Sequence, residues 1–148
     1  MTWKKLLEDR RVEREPPRAE ELARILALGE RSLADAGIEL LSIDGRFGQA
    51  YDAARAFATL VIRASGYRVR AAGGAHYTTF LALEAADPKR FKQLAAYFDT
   101  CRRKRNDLSY EDVDVVTESE LAEILREVPA FQKLVEEWLR ERHPDLVV

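Results

Sequence analysis

The segment RFGQAYDAARAFATLVIRAS, residues 46–65, predicts a helix that packs closely against its neighbours. Its apolar and small residues recur at steps of three and four, which places them on one face of an α-helix. Several are alanines, whose small side chains let helix axes approach each other closely. The face consists of Phe47, Ala50, Tyr51, Ala54, Ala58, Val61, Ile62 and Ser65. We therefore expect this helix to contribute to the core of a helical bundle.

The chain before this helix contains a second amphipathic segment. From Arg18 to about Ala36, apolar residues again recur at helical spacing. Gly37 follows, where a left-handed C-terminal cap is favoured. Asp44 lies in the connector, where its carboxylate would cap the next helix. These signals predict a helix over residues 18–36 and a short link to the helix of residues 46–65.

Two further helices are predicted after Gly66. Paired glycines indicate a loop up to about residue 75, and a short helix is expected over residues 76–86. Asp87 and Pro88 form a strong start signal, because Asp caps a helix and proline suits its first position. The helix that they open is expected to reach Arg105.

The C-terminal part predicts an extended segment followed by a last helix. Residues 110–116 alternate as a strand would, but without a pairing partner we interpret them as an extended loop. Thr117 and Glu120 match a capping box. In the helix that follows, Pro129 is expected to cause a kink or a division, and Pro144 is expected to end it.

Together these segments predict an all-α protein, an antiparallel up-down bundle of four to five helices. Residues 1–17 are expected to form an N-terminal arm or short helix, and residues 18–148 a single bundle domain. The 24 Lys and Arg nearly balance the 26 Asp and Glu, so any anion site must be local. One cysteine and no long apolar span favour a cytoplasmic protein without membrane association.

Several common chemistries lack the residues that they need. No glycine-rich loop has the spacing that cradles phosphate. His76, His143 and Cys101 are far apart in the sequence and lack the spacing of zinc ligands. Most carboxylates fall opposite the apolar faces of the helices. We therefore predict neither a metal site nor a cofactor.

The remaining feature is the cationic helix end, Arg102–Asn106, with the sequence RRKRN. Cations at a helix C-terminus complement its free carbonyl groups, so these residues could serve stability alone. Arg105, however, lies on the same helical face as Phe91 and Phe98, and so does Arg102, three residues before it. A buried guanidinium must be paired or must contact an anion. Asn106 could end the helix as a C-terminal cap or offer its amide to a ligand.

These residues resemble the HEPN superfamily of small helical bundles. The resemblance is carried by Arg105 and Asn106 after a helix, by the long helix that contains YDAARAFATLVIRASGYRVR, and by GAHYTTFLAL, in which a glycine and His76 open an intervening helix. It covers roughly residues 45–115. Members of this family include ribonuclease toxins and partners of minimal nucleotidyltransferases, and they pair their motifs across a two-fold axis.

The resemblance implies a phosphate-binding arginine at Arg105. In ribonuclease members a histidine follows the arginine after four to six residues and exchanges the proton of the 2′-hydroxyl. Here Tyr110 takes the first of these positions, and Glu111 and Asp112 take the others. Tyrosine, with an ordinary pKa of about 10, is a poor proton acceptor near neutral pH, but its hydroxyl and ring can still contact RNA.

Three functions remain open at this point. The first is a HEPN-like homodimer that binds RNA, a nucleotide or a protein partner through Arg102, Arg105, Asn106 and Tyr110, with a minimal nucleotidyltransferase as one possible partner in a toxin and antitoxin pair. The second is an active, metal-independent endoribonuclease toxin that uses Arg105 with Tyr110 or His76. The third is an interaction module in which the arginines form only internal salt bridges.

Overall fold

The computed structural model describes residues 1–107 and 115–147, and these form a helical bundle with one small sheet. The elements in chain order are α1 Trp3–Glu8, β1 Val12–Arg14, α2 Ala19–Ala36, α3 Ile43–Ala64, β2 Tyr67–Val69, α4 Ala75–Ala86, α5 Pro88–Asp107, α6 Glu118–Arg142 and a 3₁₀ turn at Pro144–Leu146. The predicted helical bundle is confirmed. No helix among these residues is both long and apolar enough to cross a membrane.

Helix α3 forms the centre of the bundle, because α2, α4, α5 and α6 all pack against it. Its alanines are buried as the sequence predicts, and they allow large side chains from the other helices to approach. The core is rich in aromatic rings, and Phe98 lies 5.0 Å from Phe131 between ring centroids. Phe91 meets both Phe131 and Trp138 edge to face. These contacts join α5 and α6, which both pack against α3.

The N-terminal residues pack onto the bundle through a second apolar cluster. Leu6 of α1 and Val12 of β1 are buried with Ile62 and Ala82. Residues 67–69, which the sequence analysis assigned to a loop, form β2 instead. Strand β2 pairs antiparallel with β1, with Val12 opposite Val69. The predicted arm or short helix therefore comprises a helix and a strand, and the strand's partner lies more than fifty residues away in the chain.

Arg63 on α3 holds this N-terminal region in place. Its guanidinium is 2% exposed, yet every donor has a partner. Nε donates to a carboxylate oxygen of Glu21 at 2.9 Å, and Nη1 donates to the backbone oxygens of Glu15 and Tyr67. Nη2 donates to the backbone oxygen of Pro16 and forms ion pairs with Glu15 and Glu21. This is how a buried arginine is satisfied when its role is structural.

The helix signals in the sequence were right at some ends and wrong at others. Asp87 accepts a hydrogen bond from the Arg90 amide at the start of α5, and Thr117 and Glu120 form the capping box of α6. Gly37 was wrongly expected to be left-handed, since its φ is −80°. The N-terminal cap of α3 is Ser42, which accepts from the Gly45 amide.

The C-terminal part of the chain contains α6 and the segment that leads into it. Helix α6 is one continuous element with Pro129 inside it, so the expected division at that proline does not occur. The predicted extended loop of residues 110–116 falls largely outside the described residues. Val116 is buried at the end of that loop, and its amide donates to Asp44 at 3.1 Å.

Candidate functional site

The structure brings most of the predicted site residues to the region where α3, α4 and α5 meet. Arg102 and Arg105 are partly buried in the last turns of α5, whereas Asn106 is exposed. His76 is the second residue of α4 and is exposed as a whole residue. Tyr110 lies outside the described residues. The charges of Arg102 and Arg105 both act on His76, which shows that the three side chains are close enough to interact.

The Arg105 side chain lies directly against Gly48 of α3. A Cβ atom at position 48 would be 3.1 Å from the Arg105 Nε and 3.6 Å from its Cδ. The missing side chain at Gly48 is therefore what lets the guanidinium approach the α3 backbone. Both residues line an open cleft of about 290 Å³ that also includes Asp44, Gln49 and Asp52.

Arg105 is not satisfied by the residues around it. Its Nε is buried and has no hydrogen-bond partner in the described part of the chain. Arg55 on α3 has the same property at its own Nε. Buried donors without a partner are uncommon and cost roughly 1–3 kcal/mol each, so each calls for an explanation such as a ligand. In the buried guanidinium of Arg63, by contrast, every donor has a partner.

Asp52 lies between these two arginines. It lines the Arg105 cleft and also a groove between α2 and α3 that contains Arg55. No ion pair within 4.0 Å joins Asp52 to either arginine among the described residues. We refer to Gly48, Asp52, Arg55 and Arg105, together with Tyr51 and His76, as the α3–α5 site.

Tyr51 and His76 connect α3 to α4 within this site. The Tyr51 hydroxyl lies 3.3 Å from Nδ1 of His76, and Tyr51 itself is buried. Burial raises the pKa of Tyr51 to about 12, with a smaller contribution from Asp52, while the charges of Arg55, Arg102 and Arg105 oppose this rise. The tyrosine hydroxyl is therefore neutral at pH 7 and can either donate to Nδ1 or accept from it.

The surroundings of His76 favour its neutral form. Its ring is partly desolvated against α3, and this lowers its pKa below the ordinary value. The positive charges of Arg55, Arg105 and Arg102 lower it further, and Asp52 acts in the opposite direction. If Nδ1 donates to Tyr51, Nε2 keeps a free lone pair and is a proton acceptor. If Tyr51 donates instead, Nε2 carries the proton.

Arg102 and Lys104 are occupied by neighbours. The Arg102 Nε donates to Asp99 at 2.7 Å, and this hydrogen bond raises the pKa of Arg102. Its guanidinium also lies over the ring of Tyr77, 5.4 Å from the centroid. Lys104 pairs with Glu120 of α6 at 3.3 Å. Among the four cations of this helix end only Arg103 is exposed, so the cationic helix end divides into paired, solvent-facing and unpartnered groups.

The sequence pattern did not identify Arg55 as a site residue. The signal that could have identified it is spacing, because Gly48, Asp52 and Arg55 are four and three residues apart and share one face of α3. That face is polar, so it gives no sign of being near α5 until the helices are packed.

The other reactive groups offer no comparable site. Cys101 is buried among apolar residues, and burial raises its pKa to about 12, which makes it a poor nucleophile. His143 packs against Trp138 with ring centroids 5.1 Å apart. Within residues 1–107 and 115–147, no three His, Cys, Asp or Glu side chains are grouped so that they could hold a metal ion.

Comparisons with known proteins add no family to this description. No protein-family model matches the chain, no curated protein matches it, and no solved structure matches it.

Proposed function

We propose that the α3–α5 site binds a phosphate group of RNA or of a nucleotide. The observation that carries this proposal is the buried Arg105 Nε, which lies against Gly48 and has no hydrogen-bond partner among the described residues. A phosphate oxygen would satisfy that donor. Guanidinium groups suit phosphate because they present several donors in a plane.

The space beside Arg105 is large enough for a phosphate group. The cleft beside it is open to solvent and has a volume of about 290 Å³. Arg55 has a second buried, unpartnered Nε, in the neighbouring groove that Asp52 also lines. Asp44 and Asp52 also line this cleft and offset the charges of Arg105 and Arg55, so the site is expected to bind phosphate with modest affinity.

The wider proposal is that the protein is a HEPN-like up-down bundle. Support comes from the helical bundle itself, from Arg105 at the end of α5 and from His76 at the start of the short helix that precedes α5. A homodimer and a minimal nucleotidyltransferase partner follow from the same resemblance. Light scattering coupled to size-exclusion chromatography tests the first, and co-expression with a nucleotidyltransferase encoded beside this gene tests the second.

Binding is tested by fluorescence anisotropy with a labelled single-stranded RNA and with a labelled nucleotide. Arg105→Ala should weaken the binding of both. Arg103→Ala is the matched control, because it removes the same charge from the same helical turn but from an exposed position. Equal affinities of the two variants would contradict a phosphate site at Arg105. If wild type does not bind and Arg105→Ala is strongly destabilised, the arginine is structural instead.

A second function, metal-independent endoribonuclease activity, is favoured by the contact between His76 and Tyr51. A neutral imidazole on which the charges of Arg55 and Arg105 act has the components for general-base catalysis of attack by a 2′-hydroxyl, with arginine stabilising the charge on phosphate. In this mechanism Nε2 of His76 accepts the hydroxyl proton, the 2′-oxygen attacks phosphorus to form a 2′,3′-cyclic phosphate, and the displaced 5′-oxygen takes up a proton from water.

Cleavage of labelled RNA in the presence of a chelator tests this second function. His76→Gln should abolish cleavage while RNA binding remains, and Arg105→Ala should abolish cleavage and weaken binding. His143→Gln is the matched control at the other histidine. Cleavage that persists in His76→Gln would exclude His76 as the base and direct attention to Tyr110.

A further inference from the structure

A second group of arginines lies near the α3–α5 site but belongs to other elements. Arg10, Arg11 and Arg70 line an open cleft of about 460 Å³. The cleft also contains Asp9 and the residues around the start of α4. We call it the hairpin cleft after the antiparallel β1–β2 pair, because its arginines lie at one end of that pair. The two strands are connected through α2 and α3 rather than by a turn.

The strand register explains why these arginines converge. Val12 pairs with Val69 at the end of the sheet, so the preceding Arg11 and the following Arg70 come next to each other. The backbone confirms this, since the Arg70 amide donates to the Arg11 carbonyl at 3.0 Å. Arg10 precedes them in the tight turn after α1. Sequence alone separates Arg11 from Arg70 by nearly sixty residues.

These guanidinium groups are not neutralised. None of the three takes part in an ion pair within 4.0 Å in the described parts of the chain. The only carboxylate among the residues that line the cleft is Asp9, and it pairs with Lys5 at 3.1 Å. Arg11 donates one hydrogen bond, from Nη1 to the Thr78 hydroxyl at 3.1 Å. The cleft therefore carries a net positive charge.

The start of α4 adds to this charge. Gly74 is the N-terminal cap of α4 and offers no side chain to the free amides of the first turn. A helix N-terminus carries partial positive charge and favours anions. Gly73 and Ala75 line the cleft beside the arginines, so the positive end of the helix and the guanidinium groups act on the same space.

Tyr77 connects the hairpin cleft to the α3–α5 site. The guanidinium of Arg11 lies 5.7 Å from the Tyr77 ring centroid, and that of Arg102 lies 5.4 Å from it. Arg102 in turn acts electrostatically on His76 and Tyr51. The side chains of Arg11, Tyr77 and Arg102 thus form a line of contacts between the two sites, although Arg102 is itself paired with Asp99. Single-stranded RNA carries one charge per nucleotide, so a short segment would place separate phosphates at the two groups of arginines.

We propose that the hairpin cleft is a second phosphate subsite, which binds the backbone of the same single-stranded RNA whose other phosphate occupies the α3–α5 site. This inference rests on the proposed function and narrows it. The ligand is a polynucleotide rather than a mononucleotide, because the two groups of arginines line separate clefts.

The test compares two ligands and two double variants of the full chain. Arg10→Gln/Arg70→Gln removes two exposed, unpaired charges from the hairpin cleft. Arg24→Gln/Arg31→Gln removes two exposed charges from α2 and is the matched control. Anisotropy is measured over a salt series with a single-stranded RNA of about 12 nucleotides, a usual site size, and with labelled adenosine monophosphate.

We expect Arg10→Gln/Arg70→Gln to weaken RNA binding about tenfold at moderate salt and to reduce the slope of log affinity against log salt by about 1.4, the value for two lost phosphate contacts. Binding of adenosine monophosphate should not change, and the α2 control should bind both ligands as wild type does.

The remaining outcomes separate this inference from the proposed function. If Arg105→Ala loses RNA binding and Arg10→Gln/Arg70→Gln keeps it, the α3–α5 site stands and the second subsite is wrong. If the reverse holds, the hairpin cleft binds RNA and the proposal for Arg105 fails. An equal loss in the α2 control, or equally tight binding of polyglutamate to the wild type, would overturn the subsite as a specific feature.

Discussion

The Tyr51 hydroxyl of α3 lies 3.3 Å from Nδ1 of His76 on α4, and the charges of three arginines act on both residues. This contact places the only histidine near the cationic helix end in a defined orientation. It joins a buried phenol, which stays protonated, to an exposed imidazole that is biased toward its neutral form. The packing of α4 against α3 thus influences the protonation state of Tyr51 and His76.

The pKa of His76 is expected to be below 6.5 and to depend on its arginine neighbours. Partial burial lowers it first, and Arg55, Arg105 and Arg102 lower it further. Arg105→Gln should therefore raise the pKa, and Asp52→Asn should lower it. Titration of the imidazole signals by NMR measures both changes. Arg103→Gln serves as the control, and a shift of equal size in that variant would show that the effect is not local.

Asp52 is expected to weaken phosphate binding. It lines the same cleft as Arg105 and offers no donor to an anion. Asp52→Asn removes its charge with almost no change in shape, so affinity for RNA should increase, most strongly at low salt. Asp35→Asn, on α2, is a control for the loss of one negative charge. A decrease in affinity in Asp52→Asn would mean that Asp52 orients the arginines rather than opposing the ligand.

Arg63 and Arg105 are expected to differ sharply in their effect on stability. Removing Arg63 leaves Glu21 and several backbone carbonyls without their partner, so Arg63→Ala should cost about 3–5 kcal/mol. Arg105→Ala should change the free energy of unfolding by less than about 1 kcal/mol, since its buried Nε has no partner among the described residues. Urea unfolding measures both. Similar losses would indicate that Arg105 is structural.

Two helical glycines are expected to respond in opposite ways to alanine. At Gly29 a Cβ would be 2.5 Å from the buried Phe57 ring, so Gly29→Ala should destabilise the protein by about 1–3 kcal/mol. At Gly48 the Cβ would meet only the flexible Arg105 side chain at 3.1 Å, and the gain in helix propensity is up to about 1 kcal/mol. Gly48→Ala should therefore keep its stability.

Gly48→Ala is also expected to weaken RNA binding. The new methyl group should push the Arg105 guanidinium away from α3 and lower RNA affinity toward that of Arg105→Ala. Gly37→Ala, at an exposed position at the end of α2 whose φ is −80°, is the control for the added methyl group. Unchanged affinity in Gly48→Ala would show that the close approach of Arg105 to α3 is not needed for binding.

Stability is expected to fall in alkaline solution. Burial raises the pKa of Tyr51 to about 12 and that of Cys101 to about 12. Above about pH 9–10 these groups ionise in the unfolded chain but stay protonated in the folded one, so the unfolded state is favoured as pH rises. Up to pH 11, ionisation of Tyr51 in the unfolded chain alone lowers the free energy of unfolding by roughly 1.4 kcal/mol, at 1.36 kcal/mol for each pH unit above its ordinary pKa of about 10. Thermal unfolding between pH 7 and pH 11 should show a smaller fall in Tyr51→Phe than in wild type.

Local signals in the sequence were sufficient for much of the helical framework. The capping box of Thr117 and Glu120 and the start at Asp87 depend on neighbouring residues only, and both occur as predicted. The β1–β2 pair could not be predicted in this way, because Val12 and Val69 meet only after α2 and α3 have brought them together. Gly37 illustrates a local rule that the actual backbone did not follow.

The amino-acid sequence by itself determined that this chain forms a helical bundle, and helical spacing placed Arg105 on the inner side of α5. It did so because periodicity and capping are properties of neighbouring residues. Only the tertiary structure decided which arginines are paired. Arg63 and Arg105 are the same residue type on partly buried helix faces, but one meets Glu15 and Glu21 while the other meets a glycine. That difference depends on which helices pack together, and it separates a structural arginine from one that is available to a ligand.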